Sequence, residues 1–207
     1  MRNLMKCSAL ILGLGLSGLA FGVPNINEIQ IKSLQANGNG CPVGSTTKLL
    51  VDTDGSGSAD FFQVTFSAFT VNKPGVSAKN CIVEAVIGIP QGWSYSLIDV
   101  QYSGYADIAS NHIGRIQTTY NFPFFSNSVT TYKDLNGTFV GDYAKTDTLG
   151  LLAAVWSPCG KTAALNMNTR ISLRQKPSTT GGESFMDVER QSGLLTQVFS
   201  LQWKKCT

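Results

Sequence analysis

The chain has 207 residues, of which 14% are charged and 43% are hydrophobic. Soluble domains usually carry about 25% charged residues, and the formal net charge of +3 is too small and too scattered for a nucleic-acid-binding protein. Histidine occurs once, which excludes a metal site built from several histidines. The 21 glycines and the 10% of aromatic residues favour a protein made of strands and turns.

Residues 1–22 have the pattern of a cleaved secretory signal peptide. Arg2 and Lys6 precede a short apolar run, and small residues near Gly22 form a cleavage site. The run is shorter than the about 20 apolar residues that a transmembrane helix needs. We therefore expect a mature chain without a membrane span, in a secreted, periplasmic or cell-surface location. Loss of the two basic residues lowers the formal charge from +3 to +1, which again argues against a nucleic-acid partner.

Four cysteines follow the signal segment, at Cys41, Cys81, Cys159 and Cys206. An even number of cysteines in an exported chain predicts a disulfide framework. Because no Cys-x-x-Cys pair is present, zinc and iron–sulfur sites are poor interpretations.

After an exposed lead segment over residues 23–40, with one short extended piece, residues 41–207 are predicted to form a single domain of strands. Apolar and polar residues alternate with a period of two, as in half-buried strands. The alternation is found in the segments 61–69, 81–90, 112–125, 164–175 and 194–206. Segment 92–108 is long and aromatic, and Gly104 within it predicts two strands or one strand with a bulge. Asn136-Gly137 is typical of a β-hairpin turn, and with Thr138 it also forms an N-glycosylation sequon.

These features predict a mostly-β protein. No window has a long helical stripe, and turn residues recur throughout the chain. We expect an antiparallel β-sandwich, immunoglobulin-like or jelly-roll-like, of roughly eight to ten strands.

Four short motifs contain the cysteines: 40-GCPVGS-45, 80-NC-81 followed by 89-IPQGWSYS-96, 156-WSPCG-160 and 201-LQWKKC-206. Their order and spacing resemble the family of exported proteins known as domain of unknown function 4360, over roughly residues 38–206. The resemblance implies a secreted, cysteine-paired, mostly-β domain without an assigned reaction. It supplies no catalytic residue. The glycine-rich segment 52–60 departs from the ordinary hairpin turn expected there.

Sequence order and the layout of the strands favour the disulfides Cys41–Cys81 and Cys159–Cys206. Each would close a loop of about 40 to 50 residues and stabilise the fold by roughly 4 kcal/mol. Four cysteines allow three pairings, so the other two stay open at this level.

A calcium site is one interpretation of the segment 52–60. Asp52, Asp54 and Ser56 match positions one, three and five of a calcium loop, and Asp60 matches position nine. Gln63 stands where a bidentate glutamate is needed. The alternative is a glycine-rich hairpin loop whose side chains bond local backbone amides. No other cofactor is expected.

Few residues could carry catalysis. His112 lies in a polar, turn-like stretch without a nucleophile motif, and we interpret it as a solvated turn residue. Asp99 and Asp107 flank the aromatic segment, and two carboxylates could support glycoside hydrolysis.

Two sets of side chains are candidates for ligand binding. Four aromatic residues of segment 92–108 could stack on a sugar ring, although aromatic residues on strands more often pack in the core: Trp93, Tyr95, Tyr102 and Tyr105. Arg170 and Arg174 share an outward face with Asn166, Asn168 and Ser172. That face could contact an anionic or glycan ligand, or could be an ordinary solvated sheet face.

The leading prediction is a non-enzymatic, secreted β-sandwich that acts by surface binding or as an envelope component. A glycan or a cell-surface protein would be its partner. The alternative is a secreted carbohydrate-active or other hydrolytic enzyme that uses carboxylates.

Overall fold

The computed structural model describes residues 29–51, 61–123, 128–148, 155–187, 189–190 and 193–206. The predicted signal peptide and the candidate calcium loop with Asp52, Asp54, Ser56 and Asp60 lie outside the described residues. All of the regular secondary structure within the described residues consists of strands, which confirms the mostly-β prediction. The strands are β1 (Gln30–Asn37), β2 (Thr46–Val51), β3 (Phe61–Phe66), β4 (Val71–Lys73), β5 (Ala78–Gly88), β6 (Trp93–Ile108), β7 (His112–Asn121), β8 (Ser128–Asn136), β9 (Phe139–Thr148), β10 (Ala163–Gln175), β11 (Ser184–Asp187), β12 (Glu189–Arg190) and β13 (Gly193–Lys205).

The strands form two antiparallel sheets that enclose one core. The five-stranded sheet has the order β1-β5-β10-β7-β8. The eight-stranded sheet follows the order β2-β3-β13-β6-β11-β4, and β9 and β12 add to β6 and β13. Buried apolar side chains from both sheets belong to one cluster between them. This is the predicted β-sandwich.

Strand β10 illustrates how the sequence encodes the sandwich. Leu165, Met167 and Ile171 are buried, whereas Asn168 and Arg170 are exposed. Alternation along a pleated strand sends successive side chains to opposite faces. The predicted period of two is therefore confirmed for this strand.

Strand β6 is a single strand of 16 residues, so the break predicted at Gly104 is absent. Gly104 stays in regular register with β9 and is buried. The irregularity lies instead at Ile98, which the pairing with β13 skips between Ser200 and Leu201. The bulge is thus in the first half of the strand.

The turn at Asn136-Gly137 does not close a hairpin of paired strands, which corrects the prediction. Strand β8 pairs with β7, whereas β9 pairs with β6 in the other sheet. A side chain at Gly137 would overlap the carbonyl oxygen of Ala109, so the close passage requires glycine. The turn carries the chain from one sheet to the other.

Strand β1 extends the sheet into the segment predicted as an exposed lead. It pairs antiparallel with β5, and Leu34 and Ala36 pack against the core. Part of residues 23–40 therefore belongs to the sandwich.

Both disulfides join the cysteines favoured by sequence order. Cys41 is bonded to Cys81 and Cys159 to Cys206, with Cα–Cα distances of 5.5 and 5.9 Å. The first links the connection between β1 and β2 to β5. The second links the segment before β10 to the end of β13.

Candidate functional site

Polar side chains cover the outer face of the five-stranded sheet. By register, Arg170 of β10 lies between Gln117 of β7 and Asn80 of β5. The same face carries Asn168 beside Thr119. Amide, hydroxyl and guanidinium groups at neighbouring positions can donate to and accept from the hydroxyl groups of a ligand.

A cluster of side chains surrounds one exposed aromatic ring on this face. It consists of Tyr132, Arg115, Asp134 and Arg174, and we call it the Tyr132 platform. Tyr132 is 61% exposed. The guanidinium carbon of Arg115 lies 4.4 Å from the centre of the Tyr132 ring. Arg115 donates two hydrogen bonds to Asp134, from Nε at 2.6 Å and from Nη2 at 2.7 Å. Arg174 lies 3.8 Å from the same carboxylate. The platform therefore includes side chains from β7 and β10 as well as from β8.

Hydrogen bonds and neighbouring charges keep Asp134 and Arg115 of the platform ionised. The hydrogen bonds from Arg115 hold the pKa of the Asp134 carboxyl below its usual range, and the charge of Arg174 acts in the same direction. The same hydrogen bonds raise the pKa of Arg115. A bidentate pair between guanidinium and carboxylate fixes the plane of both groups. The aromatic ring therefore rests on an arginine of defined orientation.

The two predicted arginines have different surroundings in the structure. Arg174 belongs to the Tyr132 platform through Asp134. Arg170 is exposed on the same face of β10, two alternating positions away. The outward placement predicted for both is confirmed. What either binds stays a prediction.

The predicted aromatic patch on β6 is divided by the pleat of the strand. Tyr95 and Tyr102 are 0% and 1% exposed, so burial removes them from any surface that a glycan could reach. Tyr105 is half-buried on the opposite face of the strand. Trp93 is half-buried at the beginning of β6, with the Lys205 ammonium 5.7 Å from its ring centre. These four residues do not form one surface.

The two carboxylates proposed for hydrolysis lie far apart. Asp99 and Asp107 are eight positions apart on β6, and an extended strand rises about 3.3 Å per residue, which gives roughly 26 Å. Glycoside hydrolases need their carboxyl groups about 5 to 9.5 Å apart. Asp107 instead lines a surface cavity of about 330 Å³ together with Lys73 and Glu183. Asp99 and Asp107 are therefore too far apart to act as a pair in hydrolysis.

His112 is fully buried, which corrects the interpretation of a solvated turn residue. Its Nδ1 lies 2.6 Å from the hydroxyl of Ser184. That hydroxyl accepts a hydrogen bond from the Ala109 amide at 2.8 Å. Burial, and then the positive charge of Lys73, lower the pKa of the histidine. The pair joins the beginning of β7 to β11 beneath the surface.

A polar cluster that the sequence did not predict connects the two sheets. The Asp147 carboxylate of β9 accepts hydrogen bonds from Tyr102 at 3.0 Å and Tyr120 at 3.2 Å, and from Thr131. The Tyr102 hydroxyl oxygen also lies 2.9 Å from the Thr118 hydroxyl, from which it can accept a hydrogen bond. Burial raises the pKa of both tyrosines above the ordinary value of the phenol. They remain neutral donors, and the cluster is part of the core.

No metal or membrane-spanning element is found in the described part of the chain. Within it, no group of three or more His, Cys, Asp or Glu side chains is arranged to hold a metal ion. Nor does any helix there have the length and apolarity to cross a membrane.

A model of the family described as domain of unknown function (DUF4360) matches residues 27–206 of the chain. The chain belongs to this family. The match covers the described strands and all four paired cysteines of the DUF4360 domain.

A relative of the DUF4360 chain comes from Arthroderma benhamiae, where it is described as an uncharacterized secreted protein. It is 26% identical over 189 residues, which are 89% of this chain and 74% of the relative. Disulfides are typical of exported proteins. The two disulfides and the secreted relative agree with the expected location outside the cell.

Solved structures that the chain matches include carbohydrate-binding modules. TmCBM61 in complex with β-1,4-galactotriose has a TM-score of 0.32 and 7% identity, over 85% of this chain and 90% of that one. A carbohydrate-binding module of the β-sandwich superfamily has a TM-score of 0.25 and 11% identity, over 83% of this chain and 57% of that one. Similarity at this level says nothing about what the DUF4360 chain binds.

Proposed function

We propose that the protein is a secreted, non-enzymatic glycan-binding protein, and that the outer face of the five-stranded sheet is its binding surface. The observation that carries the proposal is the Tyr132 platform. An aromatic ring that is 61% exposed is held against Arg115, which is itself fixed by two hydrogen bonds to Asp134. Sugar rings present C–H groups that stack on such a ring, and their hydroxyl groups need donors and acceptors beside it.

The Tyr132 ring does little for the fold, which supports a role in binding. A tyrosine that is 61% exposed buries little of its apolar area. Ordering these side chains costs conformational entropy. A prearranged ring lowers the entropy lost when a ligand binds.

The surroundings of the platform match the hydroxyl groups of a neutral polysaccharide. Gln117 pairs with Tyr132 across β7 and β8, and Arg170 lies beside Gln117 on β10. Beyond them, the Thr119 and Thr130 hydroxyls are 2.8 Å apart. Adjacent strands lie about 4.8 Å apart, so these groups form a closely spaced row beside the ring.

The test is binding of the secreted protein to a panel of neutral polysaccharides by calorimetry. Tyr132→Ala should weaken binding at least tenfold and leave the thermal midpoint nearly unchanged. Val140→Ala is the matched control, because Val140 is 63% exposed on β9 of the other sheet. If no polysaccharide binds, or if both variants bind as well as the parent protein, the proposal is wrong.

A second candidate function, hydrolysis of carbohydrate, rests on the cavity lined by residues of β4, of β6 and of the beginning of β11. Asp107 and Glu183 both line this cavity of about 330 Å³, and Lys73 lies with them. Two carboxylates in one cleft could act as general acid and as base or nucleophile. Release of reducing sugar that is abolished by both Asp107→Asn and Glu183→Gln would support the hydrolase and contradict the non-enzymatic proposal.

A further inference from the structure

The three tryptophans of the chain, Trp93, Trp156 and Trp203, lie near one end of the sandwich. Trp93 begins β6, and Trp203 ends the core-facing part of β13 with its ring 5.7 Å from that of Tyr95. Trp156 lies in the segment that runs beside β6, where Ser157 donates from its backbone amide to the carbonyl of Tyr95 at 2.8 Å. We call this region the tryptophan end.

The tryptophan end is positively charged. Four described segments meet there, residues 29–33, 89–95, 155–162 and 203–206, and they contain four lysines but no aspartate or glutamate. The lysines are Lys32, Lys161, Lys204 and Lys205. Lys32 donates to the Thr162 hydroxyl at 3.1 Å, which brings β1 to this end. Because the whole chain has a formal net charge of only +3, this is a local concentration of positive charge.

Two of these lysines lie over tryptophan rings. The Lys204 ammonium is 4.2 Å from the ring centre of Trp156, and the Lys205 ammonium is 5.7 Å from that of Trp93. Both lysines are exposed. A cation over an aromatic face is attracted by about 0.5–1 kcal/mol at exposed sites. The contact orders each ammonium and leaves hydrogen-bond donors for a ligand.

A cavity of about 370 Å³ opens between these groups. Trp156, Lys204 and Lys205 line it, together with the Cys159–Cys206 disulfide. Its wall is fixed by buried hydrogen bonds, including one from the Ser94 hydroxyl to the Ser157 carbonyl at 2.6 Å. The volume lies within the range of about 300–1,000 Å³ that is typical of small-ligand sites.

We propose that the tryptophan end is a second binding site, which takes an acidic polysaccharide by a uronate residue. The lysine ammoniums would bind the carboxylate, and the Trp156 ring would contact the sugar ring. An acidic ligand fits because four lysines of the described segments lie at this end and two of them, Lys204 and Lys205, line the cavity. A sugar fits better than a simple anion because the indole ring of Trp156 lines the cavity beside the two lysines. The site lies apart from the Tyr132 platform and does not depend on it.

The test is binding of the secreted protein to polygalacturonate in calorimetry at low salt. The double variant Lys204→Gln/Lys205→Gln should bind at least tenfold more weakly, and so should Trp156→Ala. Lys145→Gln, which removes a lysine from the middle of β9, is the matched control and should bind like the parent. Raising the salt should weaken the parent's binding, because exposed charges are screened.

Two further ligands separate charge from sugar recognition. Fully methyl-esterified polygalacturonate keeps the sugar and loses the carboxylate, so it should bind at least tenfold more weakly. Poly-glutamate keeps the carboxylates and lacks the sugar, and it should also bind more weakly. Equal binding of either polymer, unchanged binding by the lysine variant, or no binding of polygalacturonate would overturn the proposal. Tyr132→Ala should leave this binding intact, so failure of one site is distinguishable from failure of the other.

Discussion

His112 makes the stability of the fold depend on pH. Burial and the charge of Lys73 lower its pKa from the ordinary 6.5, so the unfolded chain takes up a proton more readily than the folded one. The stabilising contribution is therefore complete above pH 6.5 and is lost as the pH falls through 6.5 towards the lowered pKa. His112 is the only histidine in the chain, so no other imidazole contributes.

We expect the free energy of unfolding to decrease between pH 7 and pH 5, measured by denaturant titration. His112→Asn should flatten this dependence, because asparagine does not titrate and can still accept from the Ser184 hydroxyl that lies 2.6 Å from Nδ1. An unchanged slope in the variant would show that the pH dependence has another origin.

At the same scale, the candidate site was only partly predictable from sequence. Arg170 and Arg174 lie on a strand whose apolar residues alternate strictly, so their outward direction could be read from the pattern. Tyr132 lies on β8, where Thr131 and Lys133 face inward and polar residues occupy both faces. Because apolar and polar residues do not alternate along β8, the sequence does not indicate which face of the sheet Tyr132 occupies. Its partner Arg115 could have been placed, since alternation along β7 points it outward.

At the scale of elements, the cluster around Asp147 explains the polar inner face of β8. Thr131 and Lys133 point from β8 towards this carboxylate of β9, with the Lys133 ammonium 3.6 Å from Asp147 Oδ1. Tyr102 and Tyr120 reach it from the two sheets. Hydrogen bonds therefore fasten the sheets together at a place where apolar packing would normally do so.

Asp147→Ala should lower the free energy of unfolding by about 3 kcal/mol, because buried donors lose their acceptor at a cost of about 1–3 kcal/mol each. Asp142→Ala is the control: it removes an exposed carboxylate from the same strand and should change stability by less than about 0.5 kcal/mol. If Asp147→Ala and Asp142→Ala lower the free energy of unfolding in urea by the same amount, Asp147 does not have this structural role.

The segments that form strands were easier to predict than the pairs that those strands form. Period-two patterns depend on burial of one face, which each strand shows by itself. Pairing depends on the other strands, so the Asn136-Gly137 turn could not reveal that β8 and β9 join different sheets. The position of the bulge in β6 also depends on pairing with another strand. The residue type alone therefore points to Gly104, whereas the bulge lies at Ile98.

At the scale of the whole molecule, the Cys41–Cys81 disulfide fixes a passage between the sheets. Strand β1 belongs to the five-stranded sheet and β2 to the eight-stranded one, and Cys41 lies between them. The bond holds this passage against β5. Constraining the unfolded chain over 40 residues is its main expected contribution.

The double variant Cys41→Ala/Cys81→Ala should lose about 2–5 kcal/mol of stability in denaturant unfolding. Because the Cys159–Cys206 bond lies elsewhere, the variant should retain polygalacturonate binding under conditions where it remains folded. An unchanged denaturation midpoint would mean that the unfolded chain is already compact in this region.

The crossover turn after β8 has a consequence for how the protein is produced. Asn136 is exposed and belongs to the same alternating set of β8 positions as Tyr132 and Asp134. Alternate residues on a strand are about 7 Å apart, so an oligosaccharide attached at the Asn136-Gly137-Thr138 sequon would project beside the Tyr132 platform. The chain's own carbohydrate would then compete with an external one, and a host that glycosylates this asparagine would secrete a protein with its outer face already occupied.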